Sequence, residues 1–144
     1  MPGSDNSVLT VELASFGFKY GEESGDLVFN ARFLPNPFYV DSLRPLTGKD
    51  KVCADYVFSF PAAQKTLQLL KEIILTQAEG FREQGRRSTM KVRVGCTGGQ
   101  HRSVALIEAL AQEIRAAGFP VSVRHRELEA GRLCGEVGEP ACIL

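Results

Sequence analysis

The sequence lacks several features that would assign it quickly to a functional class. It has no tryptophan, only two histidines, and four cysteines without Cys-x-x-Cys spacing. This pattern favours neither a zinc site nor a disulfide scaffold, and it suits a reducing compartment. No apolar run approaches the roughly 20 residues of a membrane span, and the N-terminus does not resemble a secretory signal. We predict a cytoplasmic protein without membrane contact, metal or cofactor.

The formal net charge is zero, but the charges are unevenly distributed along the chain. Residues 86–126 contain eight Lys or Arg and only two Asp or Glu, which gives this segment a net charge of +6. Residues 127–144 contain four Glu and one Arg. A basic segment of this kind is commonly a solvated surface, but it also suits a binding site for an anion.

Apolar patterns along the chain alternate between strand and helix periodicity. Strands are predicted at residues 8–14, 26–32, 90–95 and 121–124, and long helices at 62–83 and 101–117. Residues 38–50 are expected to form an ordered loop. The alternation predicts one α/β domain with a mainly parallel four-stranded sheet flanked by helices. We expect the folded domain to cover residues 8–129, with flexible segments at 1–7 and 130–144.

The stretch VGCTGGQHRS, residues 94–103, connects the third predicted strand to the helix that follows it. In open α/β sheets, ligands bind outside the carboxyl ends of the strands, where the N-terminus of the next helix supplies free N–H groups. Glycines permit close approach of the backbone to a ligand, and an arginine can bind phosphate through two N–H groups. A simple chain reversal would explain the glycines but not the polar residues beside them.

We therefore predict an anion site at this turn, which lies between the third strand and the second long helix. The predicted ligand-binding residues of the turn are Thr97, Gly98, Gly99, Gln100, His101, Arg102 and Ser103. Lys19, Arg32 and Arg44 are expected to contribute to the same site. Arg102 is expected to serve the ligand more than the core.

Residues 96–103 also match the Cys-x5-Arg-Ser loop of cysteine-dependent phosphatases. In those enzymes a thiolate attacks phosphorus while the arginine holds the phosphate oxygens. Gly95 stands where they usually have histidine, and no aspartate is marked out as a general acid. A phosphatase with Cys96 and Arg102 as catalytic residues is therefore the alternative to a binding domain without catalytic residues.

Three blocks of sequence resemble a known family in order and spacing. They are SFGFKYG at 15–21, RFLPNPF at 32–38 continuing into LRPLTGKD at 43–50, and VGCTGGQHRS at 94–103 followed by VRHRELE at 123–129. Over residues 8–129 the chain resembles the C-terminal domain of the bacterial RNase adapter protein RapZ. The resemblance implies a sensor of glucosamine 6-phosphate that also binds a small regulatory RNA. It places the phospho-sugar pocket at the Cys-Thr-Gly-Gly-x-His-Arg-Ser turn, and it implies an N-terminal P-loop domain that binds nucleotide.

The sequence departs from that family at three places. The chain starts directly with the C-terminal domain, so a nucleotide-binding half would come from a protein partner. Phe38 replaces the histidine of the usual Pro-Asn-Pro-His motif, which removes a polar contact near the pocket. Phe119 stands in the place of a lysine, and residues 129–132 replace a basic cluster that serves RNA. A weak RNA-binding module that uses Arg124 and Arg126 is thus a further alternative.

Overall fold

A computed structural model of the chain describes residues 8–133, in which four strands are combined with four α-helices. The strands are β1 (Thr10–Gly17), β2 (Leu27–Asn30), β3 (Thr89–Cys96) and β4 (Val121–His125). The helices are α1 (Lys51–Phe58), α2 (Pro61–Gln84), α3 (Arg102–Ala116) and α4 (Arg126–Glu129). No helix in this part of the chain is both long and apolar enough to cross a membrane.

The four strands form one parallel sheet in the order β2-β3-β1-β4. The prediction of an α/β domain with a parallel four-stranded sheet flanked by helices is therefore confirmed. The two central strands end side by side, because Gly17 of β1 is paired with Cys96 of β3. The predicted ligand turn thus leaves the sheet at the centre of its carboxyl edge.

Alternation along the strands separates the sheet into an apolar face and a polar face. Val11 and Leu13 of β1 and Met90, Val92 and Val94 of β3 are at most 1% exposed and belong to the hydrophobic core. This core lies between the sheet and the helices α2 and α3, whose buried residues belong to the same cluster. The residues between them in sequence point to the opposite face, because successive strand side chains alternate.

The connection from β1 to β2 has a topological consequence for that opposite face. Because β1 and β2 are both parallel to β3, residues 18–26 must return from the carboxyl edge of the sheet to its amino edge. Glu23, in the middle of this return, forms an ion pair with Arg93, which lies on the polar face of β3. We call residues 18–26 the return segment.

The sequence pattern does not predict two of the short helices. Helix α1 has only eight residues, of which Cys53 and Val57 are buried, so its apolar period spans about one turn. Helix α4 has four residues and is held by the contacts of Glu127. Residues 130–133 continue from α4, and Arg132 donates a hydrogen bond to Glu127. Of the segments predicted to be flexible, 1–7 and 130–144, only residues 130–133 lie within the described part of the chain.

Candidate functional site

The turn between β3 and α3 is enclosed by other segments of the chain. Cys96, Thr97 and Arg102 are 2%, 7% and 3% exposed. The backbone N–H of Lys19 donates to the carbonyl of Thr97, at 3.2 Å, and that of Gly48 donates to the carbonyl of Gln100, at 2.9 Å. The start of the return segment and the loop before α1 therefore cover the turn on two sides.

Gly99 of the turn and Gly17 of β1 are packed too closely for a side chain. Gly99 has a φ of +73°, and a Cβ atom there would lie 2.5 Å from Cγ of Glu127 and 2.6 Å from the backbone nitrogen of Gly17. A Cβ atom on Gly17 would lie 2.5 Å from the carbonyl carbon of Gly98. The glycines were expected to let the backbone come close to a ligand. At Gly99 the groups that the backbone approaches closely are Gly17 and Glu127.

Glu127 holds β1 and residues 126–132 together beside the turn, and the sequence analysis did not single it out. Its side chain is fully buried, and one carboxylate oxygen accepts a hydrogen bond from the backbone N–H of Gly17, at 2.9 Å. Arg126 and Arg132 bind the same carboxylate, each at 2.7 Å. The sequence signal was an acidic residue directly beside a basic one, which is too common to be noticed.

Gln100 and His101 hold the loop at residues 43–48. The amide nitrogen of Gln100 donates to the carbonyls of Arg44 and Leu46, at 3.0 and 2.7 Å. Nε2 of His101 lies 3.0 Å from the carbonyl of Arg44. The Arg44 guanidinium donates to the carbonyl of Phe38 and to Asp41. The side chains of Gln100 and His101 therefore fasten the loop to the turn, and the Arg44 guanidinium binds the residues just before it.

His101 should make the stability of the fold depend on pH. Burial lowers the pKa of His101 below its ordinary value of 6.5, so the folded protein keeps the imidazole neutral. As pH falls below that value, the unfolded chain binds the proton first and the free energy of unfolding should decrease. We expect His101→Gln, which keeps a nitrogen donor but cannot titrate, to lose part of that decrease. Urea titrations between about pH 7 and pH 5 measure it, and identical pH profiles would contradict it.

Cys96 and Ser103 form a close pair at the N-terminus of α3. Their Sγ and Oγ atoms lie 3.1 Å apart, and the Ser103 backbone N–H donates to the sulfur at 3.4 Å. No aspartate among residues 8–133 completes this pair as an acid. The contacts of the aspartates are Asp26 with Arg87, Asp41 with Arg44, Asp50 with Thr47, and Asp55 with Lys51.

Arg102 is a buried cation whose neighbours are neutral or cationic. Its Nη1 donates to the carbonyls of Arg32 and Leu34, at 2.8 and 3.0 Å, and its Nη2 lies 3.5 Å from Oγ1 of Thr97. Its Nε is buried and has no hydrogen-bond partner among the described residues. Burial lowers the pKa of Arg102, Cys96 opposes this effect, and Arg32 adds to it. The guanidinium therefore anchors residues 32–34, while the expectation that it serves a ligand more than the core remains a prediction.

Lys19 and Arg32 are the other predicted cations beside this turn. Lys19 is fixed there by the bond from its backbone N–H to Thr97. Arg32 is exposed, stacks 4.0 Å above the ring of Phe18, and donates from Nε to the side chain of Asn30. Neither residue, nor Arg102, forms an ion pair with a carboxylate within the described part of the chain. We call Lys19, Arg32, Thr97 and Arg102 the turn site.

The arginines considered for RNA binding, unlike Arg32 and Arg102, are paired with carboxylates. Arg124 is paired with Glu129 at 2.8 Å, and Arg126 is paired with Glu23 and Glu127, each at 2.7 Å. Two further arginines of the basic segment, Arg87 and Arg93, are paired with Asp26 and Glu23. Acidic residues outside residues 86–126 therefore neutralise much of the charge that the sequence count assigns to this segment.

The fold and the turn together define the class of protein. A parallel α/β sheet whose central strand leads through a glycine-rich turn into a helix has the architecture on which open sheets bind anions and cofactors. Within this class, residues 9–129 match the family described as the RapZ C-terminal domain. The chain belongs to that family, as the resemblance of its sequence motifs predicts.

Proteins from several bacterial genera are similar to this chain. It is 48% identical over 128 residues to a protein of Bifidobacterium adolescentis and 47% identical over 129 residues to one of Mycobacterium ulcerans. A protein of Bacillus licheniformis is 46% identical over 121 residues. Each of the three carries the name nucleotide-binding protein, and the matches cover 88%, 88% and 83% of this chain. The matches span 41%, 42% and 40% of these curated relatives.

Proposed function

We propose that this domain is a sensor or adapter that binds a phosphorylated small molecule through the turn site. The observation that carries the proposal is the guanidinium of Arg102, which is 3% exposed and has no anionic side chain to balance its charge within residues 8–133. Removing an ion from water costs several kcal/mol unless an opposite charge and hydrogen bonds compensate. A phosphate group at this place would supply both.

The other residues of the turn site suit the same ligand. The hydroxyl of Thr97 lies beside the guanidinium of Arg102, so both can donate to one phosphate group. Arg32 and Lys19 are exposed, and they can attract the anion and contact its outer oxygens. The family resemblance names glucosamine 6-phosphate as the ligand to test first, and the anion site inferred from the residues agrees with a phosphorylated sugar.

We prefer binding to hydrolysis because Cys96 is enclosed by the protein and no described aspartate is placed to act as its general acid. Cys96 is 2% exposed, and the hydrogen bonds of the described aspartates go to residues other than Cys96 and Ser103. The Cys96–Ser103 pair is nevertheless the geometry that favours a phosphatase as the second candidate. RNA binding is less well supported, because the arginines it would use, Arg124 and Arg126, are held by carboxylates.

We also propose that nucleotide binding, which the names of the relatives indicate, resides outside the region that this chain matches. The chain spans only about two-fifths of those proteins, and its turn lacks the Walker sequence of a P-loop. We propose that the domain acts together with a P-loop protein as its partner. Copurification of the chain with a P-loop protein would test this association.

A ³¹P NMR titration with glucosamine 6-phosphate tests binding and hydrolysis together. We expect a saturable shift of the ligand resonance for the wild type, and an affinity at least about tenfold lower for Arg32→Gln, because a hydrogen bond to a charged group is removed. Arg86→Gln is the matched control, since Arg86 is also an exposed arginine. Equal affinities of the two variants would contradict the turn site. Release of inorganic phosphate that disappears in Cys96→Ser would favour the phosphatase instead.

A further inference from the structure

A small cavity lies against the sheet at three arginines that the turn site does not use. It measures about 140 Å³ and is lined by Ala14, Ser15, Glu23, Arg93, Arg124 and Arg126. Ala14 is paired with Arg93 of β3 on one side and with Arg124 of β4 on the other. Paired residues of neighbouring strands point to the same face, so two long guanidinium side chains flank the short methyl group of Ala14. The alanine thus creates the space between them.

The return segment places one carboxylate at this cavity. Oε1 of Glu23 lies 3.4 Å from Nε of Arg93, and its Oε2 lies 2.7 Å from Nη1 of Arg126. Nε of Arg93 is buried without a hydrogen-bond partner among the described residues, so the 3.4 Å contact does not satisfy it. The Glu23 side chain is 30% exposed and therefore remains accessible to solvent. The Glu23 carboxylate thus contacts two guanidinium groups at this cavity, those of Arg93 and Arg126.

Other carboxylates near the cavity also bind its arginines. Glu129 is bound to Arg124, and Glu127 is bound to Arg126 and Arg132. Arg93 also donates from Nη1 to the carbonyls of Glu12 and Val92. These contacts fix the guanidinium groups in position, but the lining itself contains three arginines and one glutamate. A pre-positioned arginine cluster of this kind matches the oxygens of a tetrahedral oxyanion.

We propose that this cavity is a second anion site, specific for a phosphate or sulfate group, and that the Glu23 carboxylate occupies its entrance in the absence of the anion. The cavity accommodates the tetrahedral head group alone, whether as free phosphate or as the terminal phosphomonoester of a larger molecule. Glu127 holds Nε and Nη2 of Arg126, so the arriving anion takes Nε of Arg93 and Nη1 of Arg126, and Glu23 moves toward solvent. The site lies on the polar face of the sheet and shares no residue with the turn site.

The test follows the Nε–Hε resonance of Arg93 in ¹H–¹⁵N spectra while inorganic phosphate is added at low ionic strength. The resonance is identified by its absence in Arg93→Gln. We expect a saturable shift in the wild type, and about tenfold tighter binding in Glu23→Gln because a competing like charge is removed. Arg32→Gln should leave this response unchanged, which separates the cavity from the turn site.

Glu22→Gln is the matched control, because Glu22 is an exposed carboxylate one residue earlier in the same segment. It should leave the phosphate affinity at Arg93 within about twofold of the wild type, since it does not contact the cavity arginines. A parallel titration with sulfate and with a phosphomonoester separates a site for the head group alone from one for a larger ligand. An Arg93 resonance that stays unchanged in both the wild type and Glu23→Gln would overturn the proposal.

Discussion

Replacing Gly99 by alanine is expected to destabilise the fold by about 3 kcal/mol or more, and thereby to disrupt the turn site. A left-handed backbone costs a non-glycine residue roughly 1–2 kcal/mol. The added Cβ would also lie 2.5 Å from Cγ of Glu127 and 2.6 Å from the nitrogen of Gly17. Overpacking of a closed interior costs about 1–3 kcal/mol, and here the backbone of β1 cannot move away because β3 and β4 flank it.

Urea denaturation followed by circular dichroism measures this effect as a lower unfolding midpoint. The matched control is Gly80→Ala, because a Cβ atom at Gly80 of α2 would have no neighbour within 4 Å. Alanine there should stabilise the protein by up to about 1 kcal/mol through its higher helix propensity. If Gly99→Ala and Gly80→Ala had similar midpoints, the close packing of the turn against β1 and Glu127 would be refuted.

The sheet and the two long helices could be predicted because their periodicities are carried by local sequence. Apolar alternation in β1 and β3 and the helical spacing of Leu70, Ile74 and Ala78 in α2 are visible without tertiary information. The end of β1 is not visible in this way. Ser15 continues the strand because it is paired with both β3 and β4, and Gly17 because it is paired with Cys96 of β3.

The position of the turn between β3 and α3 could be predicted, but the contacts of its residues could not. The order of strand, glycines and helix identifies the turn from the sequence alone. Whether a polar side chain faces a ligand or another loop depends on contacts between distant parts of the chain. Gln100 and His101 bind the carbonyl of Arg44, more than fifty residues earlier, and Arg126 binds Glu23, which is 103 residues away. A count of charges along the sequence therefore overstates the basic surface available to RNA.

Arg102→Ala is expected to remove both stability and ligand binding, and the two losses can be measured separately. The variant leaves the carbonyls of Arg32 and Leu34 without their donor and opens a cavity behind the turn, which should cost about 3 kcal/mol. Wild-type protein at a ligand concentration of about 100 times Kd should gain roughly 2.7 kcal/mol of unfolding free energy. The variant should gain nothing from glucosamine 6-phosphate. Urea titrations with and without the ligand give both quantities.

Arg102→Lys tests whether the ligand needs only a positive charge at this position or the two parallel N–H donors of a guanidinium. It also keeps the prediction testable if Arg102→Ala fails to fold. Lysine keeps a buried cation, but its single ammonium group cannot donate to two carbonyls and bind phosphate in the bidentate manner of a guanidinium. We therefore expect a folded protein of reduced stability whose ligand-induced stabilisation is at least about 1.4 kcal/mol smaller than that of the wild type, which corresponds to a tenfold loss of affinity. Full ligand stabilisation in Arg102→Lys would mean that Arg102 holds residues 32–34 and does not contact the ligand. In that case, Arg32 and Lys19 would be the cations that bind the phosphate.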